Sequence, residues 1–444
     1  MLGRIFSTGA VLTELVRTTG TPLIEAWLQS PCHVLYHLAK NRPGKNIDLE
    51  LGGAVFHLVQ DADTAHEILR DRKENYNKYF GSYARLFGES RLTVNGPHWR
   101  TLRGYSQSYI TDANADDLVR TARRYFQSAC TDLLSKSGGV EYAVDDTIDF
   151  AAAETVSDMV LGFPLDEWGR ETLNDVRKIL RLASWENFPR PTASGVEESF
   201  LALDAEDAKA DLQERFSKLL AERKLTAGRS LIADLAQANP AEVDIFGELA
   251  TLLFAGFDTT ASAVCWSMLL LAQNPTLQTK LRASVKGMAT RETLTAKDVL
   301  ALDDLNAFIL EALRIFPPIP VLSRLIVDDD QINGWSLKKG NRVLLSIIGV
   351  QQDNKVFPQP LDVRLDRHTN GGLTKEAARH FMPFGDGQRV CPGARFANLE
   401  ILAALAVILD TVQLDPPSAP QIKFRWDASM RQADGTKIVI TALH

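Results

Sequence analysis

The chain has 444 residues, 49 Lys and Arg against 56 Asp and Glu, and a formal net charge of -7. That balance excludes a nucleic-acid binder, which needs a strongly basic surface. Cys32, Cys130, Cys265 and Cys391 are few and contain no C-x-x-C pair, which excludes a disulfide framework or a cysteine zinc site and points to a reducing compartment.

No Gly-, Ser- or Pro-rich linker divides the sequence, so residues 1–444 read as one compact unit. Met1 to Thr21 is apolar but broken by Arg4, Glu14 and Arg17, too interrupted for a membrane span or a cleavable signal. It reads as a leader packed on the domain or as a helix lying on a membrane surface. Asn46 to Val59 alternates around Gly52-Gly53 as a β-hairpin does, and Asp61 caps a short helix from Thr64 to Leu69. Tyr76 to Pro97 shows no period and reads as a long loop with binding work. A helical pattern resumes at His98 and sets Trp99 and Arg103 on one face at i and i+4.

Amphipathic helices are expected over Asp116 to Leu134 and Asp145 to Leu161. Two more fall between Arg170 and Arg223, split where Asn187-Phe188-Pro189-Arg190-Pro191 breaks the period. Then comes a helix from Val243 to Asn274, about 48 Å long at about 1.5 Å per residue. Its stretch Ala250 to Ala272 is long enough for a bilayer, but Asp258-Thr259-Thr260 sits near its centre with no companion span. It reads as the buried axis of the molecule. A carboxylate there must be paired in the core or put to use. Thr259 bonding back to the Ala255 carbonyl, beside Gly256, would open a notch in the helix with room for a small ligand.

Glu311 and Arg314 form an i, i+3 pair late in a helix opened near Asp303 and stopped by Pro317-Pro318. Pro318 to Arg324 leaves it extended, and Trp335 to Gly340 reads as a hairpin completing a sheet with the early one. Short strands are expected at Gln421 to Phe424 and Thr436 to Thr441. The intervening loop Met430 to Gly435 is expected to wall a pocket. Before them lies the stretch that organises the chain, Phe384-Gly385-Asp386-Gly387-Gln388-Arg389-Val390-Cys391-Pro392-Gly393, running into an apolar helix from Ala394 to Leu409. A cysteine followed by proline at a helix start sits where backbone N–H groups favour a thiolate, which suits a soft metal ligand. Gly387 permits a tight turn, Gly393 a close approach to the helix, Phe384 shields the sulfur, and Arg389 offers a fixed cation to an anionic group.

The complete spacing Phe384-x-x-Gly387-x-Arg389-x-Cys391-x-Gly393 resembles the haem-binding loop of the cytochrome P450 family, whose cysteine thiolate is the proximal iron ligand. The run Ala255-Gly256-Phe257-Asp258-Thr259-Thr260 is similar to that family's oxygen-activation motif. Glu311-x-x-Arg314 with Arg367 resembles its structural triad. The resemblance covers the chain from about Ser30 onward and implies an α+β, mostly α fold holding haem b on Cys391. Trp99, Arg103, Arg324 and Arg389 would serve its propionates, and Phe384, Gly387, Gly393 and Ala255 would contact it. Asp258 and Thr259 would relay protons.

The activity implied is insertion of one atom of O2 into a hydrophobic small molecule, in a pocket drawn from Phe80, Leu86, Phe254, Phe257, Ile319 and Val321. With no reductase-like segment, electrons would come from a separate ferredoxin or flavodoxin-like protein with its reductase. That partner would dock on a patch of Arg100, Lys355, Arg379 and Arg395. The implied protein is soluble, cytoplasmic and of bacterial type, without a transmembrane anchor. A peroxide-driven or isomerising haem-thiolate enzyme and a non-catalytic haem sensor are the alternatives, and the Asp258-Thr259 pair weighs against both.

Overall fold

The computed structural model describes residues 26–443 except 28, 52–53, 112, 166–168, 188–194, 224–230, 238–242, 370 and 419–420. The expectations for Met1 to Thr21, for the Gly52-Gly53 turn and for the break at Phe188 to Pro191 lie outside those residues. Helices dominate and the strands are short, an α+β, mostly α fold.

Six helices position the cavity described below: α1 (Gly96–Thr111), α2 (Ala115–Ser137), α3 (Asp145–Val156), α4 (Ile245–Ala272), α5 (Asp303–Ile315) and α6 (Ala394–Thr411). The α4 helix is 28 residues long, about 42 Å, and begins where the Asp244 side chain accepts the Gly247 N–H. It has the length and hydropathy of a membrane span, yet 78% of its most apolar window is buried inside the protein. Its apolar side chains are therefore satisfied by α3 and α6 packed against it, and each large one contributes about 2 kcal/mol by leaving water.

A five-stranded sheet is assembled from both ends of the chain. It contains β1 (Ile47–Leu51), β2 (Ala54–Val59), β3 (Tyr76–Lys78), β4 (Val321–Ile326) and β5 (Arg342–Ser346), in the order β1-β2-β5-β4-β3. Only the β2 to β5 pairing is parallel, with Phe56 opposite Arg342. Asp61 caps the helix after β2 as expected, accepting the N–H groups of Asp63 and Thr64 at 3.0 and 3.1 Å. That helix covers Ala62–His66, with a wider turn at Glu67–Asp71.

Three local expectations are corrected. Tyr76 to Pro97 is not a plain loop: it contains β3 and a helix, Gly81–Phe87. The strand exists because β4 supplies its partner, and the helix is too short to show a period. It is held instead by burying Tyr83, Leu86 and Phe87 against α4, with the Phe87 and Phe254 rings 4.9 Å apart. The early sheet is completed by β4 and β5; Trp335–Leu337 pairs separately with Asp330–Ile332 around Asn333-Gly334. Met430–Gln432 is a strand paired with Phe424–Trp426, and the Met430 carbonyl accepts bonds from Ser262 and Trp266 of α4 at 2.7 and 2.8 Å.

The expected structural triad is formed at the end of α5. Glu311 and Arg314 are fully buried and joined at 2.7 Å, and Arg367 reaches Glu311 at 2.6 Å. His368 is a fourth member, 3.1 Å from Glu311. Arg314 also donates to the Gln351 carbonyl, whose side chain accepts the Met382 N–H at 3.0 Å. The ion cluster is thus tied through one glutamine to the start of the cysteine loop.

Candidate active site

A cavity of about 350 Å³ lies between α4 and the cysteine loop. Ala255, Asp258 and Thr259 reach it from α4, and Phe384, Arg389, Cys391 and Gly393 from the loop. Trp99 and Arg103 reach it from α1, and Arg324 from β4. Segments far apart in sequence, each expected to contribute to one site, do converge. Gly387 is the exception among the candidates: it does not line the cavity. Its φ is +68°, and a Cβ there would meet the Leu69 carbonyl oxygen at 2.1 Å, so glycine lets the loop seat against the helix after β2.

Cys391 belongs to the surface of the cavity rather than to the apolar core. Its N–H donates to the Phe384 carbonyl at 2.9 Å, which closes the loop. Burial raises the thiol above its ordinary pKa, while the Gly393 N–H, Lys78 and Arg91 pull the other way.

One end of the cavity is crowded with cations. Trp99 is held between two guanidinium groups, Arg389 at 4.1 Å from its ring and Arg103 at 5.2 Å. Arg389 also donates to the Val94 carbonyl at 2.7 Å. Burial, with Arg324, Arg103 and Arg91 nearby, lowers Arg389 to about 10; burial alone lowers Arg324 to about 10. Arg324 is 4% exposed, and among the described residues its guanidinium donates only to the neighbouring Ser323 carbonyl, at 2.8 Å.

Sequence reading missed two members of this group. Lys78 lies on β3, its ammonium pushed well down by burial and by Arg324 and Arg389. Arg91 precedes α1 and donates to Ser106 and Gln107 at 2.8 and 2.6 Å. Both lie in the stretch taken for a loop, where a lone basic residue carries no periodic signal. The only carboxylates lining the cavity among the described residues, Asp258 and Asp427, line the second cavity described below as well.

On α4 the expected side-chain bond is present, the Thr259 hydroxyl donating to the Ala255 carbonyl at 2.8 Å, while the helix itself runs unbroken from Ile245 to Ala272. Asp258 is paired as well as cavity-lining: Arg431 donates to its carboxylate at 2.8 Å and to its backbone carbonyl at 2.7 Å. Its other carboxylate oxygen, Oδ2, is buried and has no hydrogen bond among the described residues. Arg431 lies in a strand near the C-terminus, 173 residues from Asp258, so no local pattern announced it.

The apolar wall includes Phe80, Phe254, Ile319 and Val321 as expected, but not Leu86 or Phe257, which are fully buried in the core. The far wall is Trp426, Asp427 and Ala428 rather than Met430 to Gly435. The turn between the paired strands points inward while Met430 bonds to α4.

Fold and cavity together define a mostly helical protein with a thiol and an array of cations lining one cavity with Asp258 and Thr259 of the central helix. The family model described as Cytochrome P450 matches residues 19–439. The "Probable cytochrome P450 6d5" of Drosophila melanogaster is 24% identical over 431 residues, 86% of this chain and 83% of that protein. The "Cytochrome P450 736A117" of Prunus mume is 34% identical over 171 residues, 38% of this chain and 33% of that one. The solved heme domain of cytochrome P450DA superposes with a TM-score of 0.78 at 19% identity, covering 95% of each chain, and so shares the fold. The chain belongs to the cytochrome P450 family, the haem-thiolate monooxygenases, and is an oxidoreductase.

Proposed function

We propose that the chain is a single-domain monooxygenase that carries haem b on Cys391 and oxidises a hydrophobic small molecule with electrons from a separate ferredoxin or flavodoxin-like protein. The observation that carries this reading is the cavity itself. A thiol lines it together with the Asp258-Thr259 pair, and among the described residues the cations Lys78, Arg103, Arg324 and Arg389 that line it have no carboxylate partner. The haem propionates are the anions that such an end calls for, because isolated charges out of water are strongly disfavoured. Arg103, Arg324, Arg389 and the Trp99 indole would hold them, with Lys78 and Arg91 added. Cys391, Phe384, Gly393 and Ala255 would contact the iron and ring.

The haem supplies dioxygen binding and, through its thiolate ligand, the electron donation that favours O–O cleavage. The rest falls to the chain. Thr259 Oγ1 would hold a proton beside Asp258, whose buried Oδ2, without a hydrogen bond among the described residues, would pass on protons delivered from behind it. A charged cavity of about 620 Å³, lined among others by Asp149, Arg177 and Arg431, reaches Asp258 from behind and offers the water for that supply. The apolar wall at Phe80, Phe254, Ile319 and Val321 selects an apolar substrate and excludes water.

Arg100, Lys355, Arg379 and Arg395 are all exposed and suit an acidic electron donor, with Arg379 tied to Asp63 at 2.5 Å. Cys32, Cys130 and Cys265 are buried thiols, which fits a reducing, cytoplasmic setting.

The test is to choose a ligand by the haem absorption change it causes, then run turnover with a ferredoxin couple under isotopically labelled dioxygen. One labelled atom in the product is expected. Product formed equally well with peroxide alone, and without label from dioxygen, would overturn the proposal.

A further inference from the structure

The segment that carries Arg91 is fastened to α4 by three side chains on one helix face. Asp244 accepts the Glu89 N–H at 3.0 Å, Glu248 accepts the Arg91 N–H at 2.6 Å, and the Thr251 hydroxyl donates to Ser90 at 2.8 Å. Positions 244, 248 and 251 are spaced i, i+4, i+7, so one stripe of α4 grips three consecutive residues. Glycine at 247 permits the approach, since a Cβ there would meet the Glu89 carbonyl oxygen at 2.3 Å. From the other side, Arg389 donates to the Arg91 carbonyl at 3.2 Å. Arg91 is 8% exposed and its guanidinium lines the cavity among Lys78, Arg103, Arg324 and Arg389, each of which repels it. Its guanidinium is held by Ser106 and Gln107 and its backbone by α4, where Glu248, fully buried, is the acid among the described residues that accepts the Arg91 N–H.

We propose that Glu248 is a positioning residue that holds Arg91 against the haem-bearing end of the cavity, and that it does so most firmly when ionised. This rests on the haem reading above. A charge-assisted bond to the Arg91 N–H is roughly twice as strong as a neutral one, and the negative charge offsets the repulsion Arg91 meets from its neighbours. Burial raises Glu248 to about 7, with the Arg91 N–H, the Arg91 charge and Ser106 opposing and Asp244 adding to the rise. Because the folded value is raised, the part of global stability linked to this carboxyl is fully present below the ordinary carboxylate range. It is lost as pH climbs through about 7. The grip on Arg91 runs the opposite way, gained as pH climbs through the same range. Holding Arg91 therefore costs some global stability.

Among the described residues, the other charged or titratable groups facing this segment are Lys78, Arg103, Arg324, Arg389 and Cys391 across the cavity, Asp244 on α4 and, at the surface, the His98 and Glu89 pair at 3.6 Å.

The experiment measures haem loss from the purified haem-loaded protein to an excess of haem acceptor between pH 6 and 8, for the parent, Glu248→Gln, Thr251→Val and His98→Gln. The parent should lose haem about three- to tenfold faster at pH 6 than at pH 8, the size expected when a charge-assisted bond becomes a neutral one. Glu248→Gln should be nearly flat, at the faster rate. Thr251→Val should be faster throughout with the parent's midpoint, and His98→Gln should match the parent. A pH step that survives in Glu248→Gln, or disappears in His98→Gln, overturns the proposal.

Should Glu248→Gln fail to fold, hydrogen exchange of the Arg91 amide in the parent decides. Protection that falls from pH 8 to pH 6, after correction for intrinsic rates, supports the proposal, and constant protection overturns it. Failure of the haem reading is distinct, since the parent would then purify without haem.

Discussion

Glu311→Gln will lower the unfolding free energy by about 3–5 kcal/mol, the range for breaking one partner out of a buried ion pair. The cost is this large because the change strands several groups together: Arg314, Arg367 and His368 all converge on the one carboxylate. Burial alone would push Glu311 up, but hydrogen bonds from His368 and Arg314 and the charges of Arg314 and Arg367 hold it down to about 2. The sign follows directly. The stability linked to this depressed carboxyl is present above the ordinary carboxylate range and is lost as pH falls through that range toward about 2. Denaturant unfolding followed by circular dichroism at pH 7 and pH 3 tests both statements. The variant should unfold at lower denaturant at pH 7, and the gap between it and the parent should narrow at pH 3. Equal midpoints at pH 7 would refute the argument. Because Gln351 links the cluster to Met382, the variant should also release haem faster than the parent.

The second large effect is expected on α4. Asp258→Asn keeps the shape and the bond from Arg431 but replaces the oxygen proposed to carry protons, and should reduce turnover about 100-fold, the lower range for losing a general acid or base. Substrate affinity and the haem spectrum should be unchanged. Thr259→Ala should reduce product similarly, with electrons appearing as hydrogen peroxide instead. The double variant should be hardly worse than either single one, since groups in one relay act as a unit. Full turnover in Asp258→Asn would remove the relay, leaving Asp258 only its core ion pair with Arg431.

Much of this site was legible because its residues carry local signals. The cysteine loop combines glycines, a proline and a fixed spacing, and α4 declares itself by length and by a carboxylate in an apolar run. The Glu311 and Arg314 pair is visible at i, i+3. What sequence alone did not show is what only tertiary contact creates. Arg431 closes on Asp258 across 173 residues, and His368 joins Glu311 across 57. Lys78 becomes strand because β4 lies beside it, and Arg91 becomes a cavity residue through the grip of α4 on its backbone and of Ser106 and Gln107 on its guanidinium. Trp335 illustrates the converse: its alternating pattern was real, but its partner is the nearest strand rather than the early sheet.

The account depends most directly on sulfur from Cys391 holding the haem iron, and the carbon monoxide spectrum of the reduced protein reads that bond. The parent should show the red-shifted band that a thiolate ligand produces, and Cys391→Ala should lose both that band and most of its haem. An unchanged band in Cys391→Ala would contradict the account.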